Sequence, residues 1–147
     1  MKLIKLAFLS VVILGLIMWL ISLLIPSSVR VSRAIEIHAP KQIIVDRLSD
    51  LESWKKWNEL LNDQAAVTLV SVSSDTVVTS WRSGVNPVYS AFTLTETRGT
   101  TVVQWFFDFR LRWYPWEKFG SIIFDRHFGE PMEKSLNNLR EQVQKSP

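Results

Sequence analysis

The sequence predicts an α+β fold: an antiparallel sheet wrapped on a C-terminal helix, preceded by one transmembrane helix. Three observations carry this. Leu6 to Ile25 contains no ionisable side chain. Val103, Trp105, Phe107, Phe109, Leu111 and Trp113 take every odd position from 103 to 113. After Pro115 the apolar spacing lengthens from two residues to about 3.6. A chain of 147 residues suits one compact core with one appendage, since two cores would each be short of buried surface. The expected division is an anchor with a short linker over 1–28 and a folded domain over 29–147.

The anchor comes first. Leu6 to Ile25 reads LAFLSVVILGLIMWLISLLI, and about 20 residues at about 1.5 Å each cover a hydrocarbon core of about 30 Å. A cleavable signal peptide has a shorter apolar stretch, about 7 to 15 residues, ending at a small-x-small site. This stretch instead runs unbroken into Leu23, Leu24, Ile25 and Pro26. A buried globular helix apolar on every face would need a larger protein around it. The predicted partner is therefore a lipid bilayer, contacted through residues 4–25. Lys2 and Lys5 on one side nearly balance Arg30, Arg33 and Lys41 on the other, so charge leaves orientation open. A short cytoplasmic tail favours an extracytoplasmic domain. The linker Pro26-Ser27-Ser28 holds that domain within about 10 to 15 Å of the bilayer.

The formal charge of +3 falls to about +1 once Lys2 and Lys5 are set aside, leaving 15 basic against 14 acidic residues. That is too little for a phosphate-binding surface, so nucleic acid is not an expected partner. Zero cysteines exclude disulfides and thiolate chemistry. Two separated histidines make neither a zinc ligand set nor a nucleophile–base pair. Five glycines form no phosphate loop, and no cofactor is expected.

Val29 to Ile37 alternates as a half-buried strand ending at His38-Ala39-Pro40. Pro40 suits the first turn of a helix containing Ile43, Ile44, Arg47 and Leu48. Asp50 is placed to cap a second short helix with Trp54 and Trp57 on one face. Ala65–Val72 and Thr76–Arg82 are β-branched runs split by Ser73-Ser74-Asp75, and Val88–Thr97 follows at hairpin spacing. Arg98-Gly99 turns into the aromatic strand, whose register is fixed because a one-residue slip would expose the whole row. Phe106 is the large apolar exception on its outer face. Phe119, Ile122 and Ile123, then Met132, Leu136, Leu139 and Val143, mark the covering helix. Gly129 and Pro131 predict a bend or restart within it.

This order resembles the helix-grip fold of the START-like (SRPBCC) superfamily, which includes polyketide cyclases and lipid-transfer domains. Val31 to Asn58, VSRAIEIHAPKQIIVDRLSDLESWKKWN, is similar to the family's opening, and Pro115 to Val143 resembles its closing helix with a Gly-x-x-Met/Phe-Glu-Lys-x-Leu-x-x-Leu pattern. A membrane-anchored bacterial subset carries the same kind of N-terminal helix. The middle is about one hairpin shorter than the family pattern, which implies a reduced cavity.

The resemblance implies a groove for a hydrophobic, lipid-like or polycyclic ligand. Its candidate lining residues are Trp54, Trp57, Trp81, Phe92, Trp105, Phe107, Phe109, Trp113, Phe119, Ile123 and His127. The same rings suit a plain core better, since each aromatic buries about 150 to 250 Å² and a small domain needs that burial whatever its function. The Trp113-Tyr114-Pro115-Trp116 corner is expected to pack under the helix, although amphipathic rings also collect at membrane interfaces. His127, near Asp125 or Glu130, is the one general acid–base candidate. Three functions follow in order: a membrane-tethered, non-catalytic domain that binds or senses a hydrophobic small molecule; an interaction module without a cavity that contacts another membrane protein; and a cyclase- or dehydratase-like enzyme.

Overall fold

The computed structural model describes residues 2–61, 66–82, 87–112 and 114–145. In chain order the elements are α1 (Lys2–Leu24), β1 (Ser28–Ile37), α2 (Lys41–Ser49), β2 (Ala66–Val72), β3 (Thr76–Arg82), β4 (Pro87–Thr97), β5 (Thr100–Arg110), α3 (Pro115–Gly120) and α4 (Phe124–Lys145). Short 3₁₀ turns occupy Ser53–Lys56 and Ser121–Ile123. The chain forms two compact units, Met1–Val29 with Arg110–Ile123, and Arg30–Phe109 with Phe124–Pro147.

In the first unit α1 exposes apolar side chains on every side, among them Leu6, Val11, Leu14, Ile17 and Leu24. Leu3–Leu24 is long and apolar enough to cross a membrane. Beyond it, the Leu111 N–H donates to the Ser27 carbonyl at 2.9 Å.

The second unit holds a five-stranded antiparallel sheet in the order β1-β5-β4-β3-β2. β2 to β5 form a meander, and β1 pairs with β5 at the opposite edge. The four strands expected between Trp57 and Pro115 are all present. Arg98 and Gly99, at φ 52° and 81°, make the doubly left-handed two-residue turn that matches the twist of a hairpin. A bulge between Leu69 and Ser71 interrupts the β2–β3 ladder. On the outer face Arg30 lies 4.3 Å above the Phe106 ring and donates twice to Asp108 at 2.7 and 2.8 Å. The guanidinium thereby covers the one large apolar residue on the outer face of β5.

The inner face is closed from two directions. α2 contributes Ile44, Val45 and Leu48, and Trp54 is buried in the first 3₁₀ turn. α4 buries Met132, Leu136, Leu139 and Val143. Ser135 Oγ accepts from the Glu59 N–H at 2.8 Å, and Asn138 Nδ2 donates to the Trp57 carbonyl at 3.3 Å.

Four expectations are corrected. Of the two alternatives at Gly129 and Pro131, a bend or a restart, the restart does not occur. The helix runs through both, and the break falls at Ser121–Ile123. Ile122 and Ile123 are not on the buried stripe, being 71% and 64% exposed. Trp116 does not pack under a helix, since it is 69% exposed. The last strand ends at Arg110 rather than continuing to position 113, and Trp113 lies outside the described residues. For Ile122 and Ile123 the cause is phase: α3 ends at Gly120, and α4 starts a new stripe at Phe124.

Candidate functional site: an aromatic seam under α4

Within the second unit the inward rings form one continuous seam. It starts at Trp57 and Trp54, whose centroids are 5.2 Å apart. A 3₁₀ turn repeats every three residues and so brings positions 54 and 57 to one side. Trp54 meets Phe92 edge-on at 5.7 Å and Trp81 at 5.8 Å. Phe92 stacks on Trp105 at 4.8 Å, because the two are directly paired across β4 and β5. Trp105 and Trp81 both reach Phe107 at 5.3 Å. Phe107 leads to Phe109, and Phe109 touches Phe124 and Phe128 of α4 at 4.8 Å each.

Burial changes along the seam. Trp54, Phe92 and Trp105 are 0% exposed and Trp57 1%, whereas Trp81 reaches 6% and Phe109 9%. Phe124 and Phe128 are only half-buried. A side chain without accessible surface borders no void that admits water. The Trp54–Trp57–Phe92–Trp105 end is therefore solid, and accessible aromatic surface begins around Phe109, Phe124 and Phe128.

The seam's polar atoms are mostly satisfied internally. Thr79 and Ser90 face each other across β3 and β4, their hydroxyls 2.9 Å apart. Ser90 Oγ accepts from the indole N–H of both Trp81 and Trp105 at 3.1 Å, and Thr79 Oγ1 accepts from Trp81 at 3.1 Å. The Trp54 N–H donates to the Leu48 carbonyl at 3.0 Å. Among the described residues, Trp57 Nε1 and Asn58 Nδ2 have no hydrogen-bond partner. At its open end the seam presents ring surface, which selects for apolar matter rather than for a hydrogen-bonding pattern.

Seven candidates thus come together: Trp54, Trp57, Trp81, Phe92, Trp105, Phe107 and Phe109. Phe119 and Ile123 belong to the other unit, Phe119 half-buried and Ile123 exposed. His127 is exposed, its ring against the edge of Phe128 at 5.1 Å. Asp125 is engaged elsewhere, accepting from Arg33 at 3.0 and 3.2 Å, and that guanidinium holds its carboxyl below the ordinary value. Glu130 pairs with Lys134 on the same helix face. His38, also exposed, lies 2.9 Å from Thr100 Oγ1. His127 is therefore corrected as a lining candidate, and the arrangement that acid–base catalysis would need, an inward imidazole beside a carboxylate, is not formed. Phe124 and Phe128, with the Thr79–Ser90 pair, were missed. The signal existed, since 124, 128, 132, 136, 139 and 143 follow one another at helical spacing.

A groove of about 280 Å³ beside β1 and α4 is lined by Arg33, Ala34, Ile35, Glu133, Leu136, Asn137 and Arg140. Its charged rim sets it apart from the seam, none of whose rings line it.

No family model matches the sequence, and no curated protein matches it. Solved structures do. A START superfamily protein from Mycobacterium smegmatis superposes with a TM-score of 0.58 at 16% identity, over 80% of this chain and 99% of that one. A point mutant of norcoclaurine synthase from Thalictrum, in complex with a transition state analogue, gives 0.60 at 10% identity, over 80% and 95%. A structural-genomics protein from Nitrosomonas europaea gives 0.58 at 12% identity, over 79% and 94%. At such identities the likeness is one of backbone architecture. The sheet and α4 of this chain therefore have the START-like helix-grip fold, built on five strands.

Proposed function

We propose that this chain is a membrane-tethered, non-catalytic START-like domain that receives a hydrophobic group, an acyl chain or a polycyclic ring, at the Phe109–Phe124–Phe128 end of its seam. The observation that carries the reading is the burial gradient: a continuous run of rings passes from fully enclosed to half-buried while its Trp81 and Trp105 N–H groups stay bound inside. A site of that kind has apolar area to offer and few polar groups to satisfy. The apolar α1 supports the choice of ligand class, because a linker of about three residues keeps the domain near a bilayer. The engagement of Asp125 by Arg33 and the exposure of His127 support a non-catalytic role.

A second reading is favoured by one specific observation. The solid end of the seam fills the space between sheet and helix that a deep ligand would need, which suits an interaction module contacting another membrane protein. Native mass spectrometry of the full chain released in mild detergent separates the two. A co-purifying lipid mass that Phe128→Ala abolishes supports binding. Bare protein from several expression hosts favours the interaction module.

A further inference from the structure

In the first unit α3 is tied to the end of α1 by a buried ammonium. Lys118 is 5% exposed, and its Nζ donates to the Ser22 carbonyl at 2.9 Å and the Ile25 carbonyl at 3.0 Å. The last carbonyls of a helix have no partner within it and carry the negative end of its dipole. A lysine there compensates both, and the carbonyls in turn offset the cost of burying its charge. The segment around it is internally braced. Glu117 Oε2 accepts from the Arg112 N–H at 2.8 Å, and Ser121 Oγ donates to the Lys118 carbonyl at 2.7 Å.

That tie fixes a depth. Ser22 to Ile25 is where the apolar span ends, so a segment bonded there sits at the level where hydrocarbon gives way to headgroups. At this level the segment exposes large apolar side chains: Trp116 at 69%, Ile122 at 71% and Ile123 at 64%. Tyr114 stacks on Trp116 at 4.9 Å with an 8° interplanar angle, making a nearly parallel pair. Paired Trp and Tyr are the rings that membrane interfaces collect, and clustered apolar exposure of this kind marks a contact surface. The occupant is set by continuity, because the last turns of α1 expose Leu20, Leu23 and Leu24 to the same surroundings.

We propose that Tyr114–Ile123 is a second membrane contact, an interfacial element that seats Trp116, Ile122 and Ile123 among the lipid headgroups and upper acyl chains while Lys118 locks it to the end of α1. The inference rests on α1 spanning the bilayer.

The chain has no cysteine, so single sites can be labelled cleanly. Trp116→Cys and Ile122→Cys, with Leu14→Cys in mid-α1 and Thr68→Cys on exposed β2 as references, would each carry an environment-sensitive fluorophore. The full chain is placed in phosphatidylcholine–phosphatidylglycerol vesicles containing nitroxide lipids labelled at shallow or deep acyl positions. Labels at 116 and 122 are expected to be quenched severalfold more by the shallow nitroxide than the label at 68, and that at 14 by the deep one. If 116 and 122 are quenched only by aqueous iodide, as at 68, while 14 responds to the deep nitroxide, interfacial docking is overturned and the anchor stands. If 14 also ignores both nitroxides, the spanning reading fails with it. Lys118→Met should move the 122 label toward iodide sensitivity and leave 14 unchanged; an unmoved 122 label overturns the locking role.

Discussion

The two ends of the aromatic seam are made of the same kinds of ring yet stand in different physical states. At one end Trp54, Trp57, Phe92 and Trp105 are enclosed by the 3₁₀ turn, the sheet and the middle of α4, at 0% to 1% exposure. At the other, Phe109 meets Phe124 and Phe128 on the first turns of α4, and those two rings stay half-buried. The difference arises from what lies opposite each ring. Enclosed rings face other elements on every side, whereas the outer rings project from the start of a helix, where there is no preceding turn of that helix to cover them. In a fold of this kind the first state supplies stability and the second supplies available surface.

Substitutions can break or sharpen that contrast. The largest effect is expected from Trp105→Ala, which removes a ring touching Phe92, Phe107, Trp57 and Trp81. It should cost about 3 to 5 kcal/mol, measured by denaturant unfolding of the full chain in micelles. A cost under about 1 kcal/mol would mean that this end is not close-packed. Next comes Ser90→Ala, which strips the shared acceptor from Trp81 and Trp105. About 1 to 3 kcal/mol should be lost in the same assay, because buried N–H groups lose an acceptor.

Phe128→Ala sharpens the comparison from the other side. A half-buried ring should contribute less than Trp105, about 1 to 2 kcal/mol, while co-purified lipid disappears. Loss of stability equal to that of Trp105→Ala would erase the distinction between the ends. Gly129→Ala should be close to neutral. An added Cβ would overlap the Arg33 guanidinium and displace it from Asp125, while alanine's better helix propensity returns up to about 1 kcal/mol.

A comparably small effect concerns pH. Arg33 holds the Asp125 carboxyl below its ordinary value, so the pair's contribution is present above the unfolded carboxylate pKa of about 4. It fades as pH falls through the lower folded value. Thermal midpoints of the native chain and Asp125→Asn should differ slightly at pH 6 and draw together as pH falls below the unfolded carboxylate value. A gap that widens in acid would contradict the pairing.

Much of this architecture could be read from spacing. The odd-position row places Trp105, Phe107 and Phe109 on the inner face, and Thr76–Arg82 has the bounds its β-branched run indicates. Trp54 and Trp57 share a side as expected, although in a 3₁₀ turn rather than an α-helix. The candidate site was read less completely. Phe124 and Phe128 are hidden in the pattern because Phe119, Ile122 and Ile123 imitate the start of the same stripe, and only the break at Ser121–Ile123 resets the phase. Thr79 and Ser90 carry no signal of their own, being ordinary strand residues until the β3–β4 register sets them face to face.

What the sequence by itself determined is whatever depends on near neighbours: an apolar run long enough to span a bilayer, strands with a period of two, an Arg-Gly turn and a helix with an apolar stripe. Local sterics and the pattern of burial fix such features within a few residues. Tertiary structure alone decided which rings are sealed and which stay open, and that Lys118 reaches back to carbonyls at Ser22 and Ile25. Those outcomes depend on register and on contacts between segments far apart in the chain, so no local spacing encodes them.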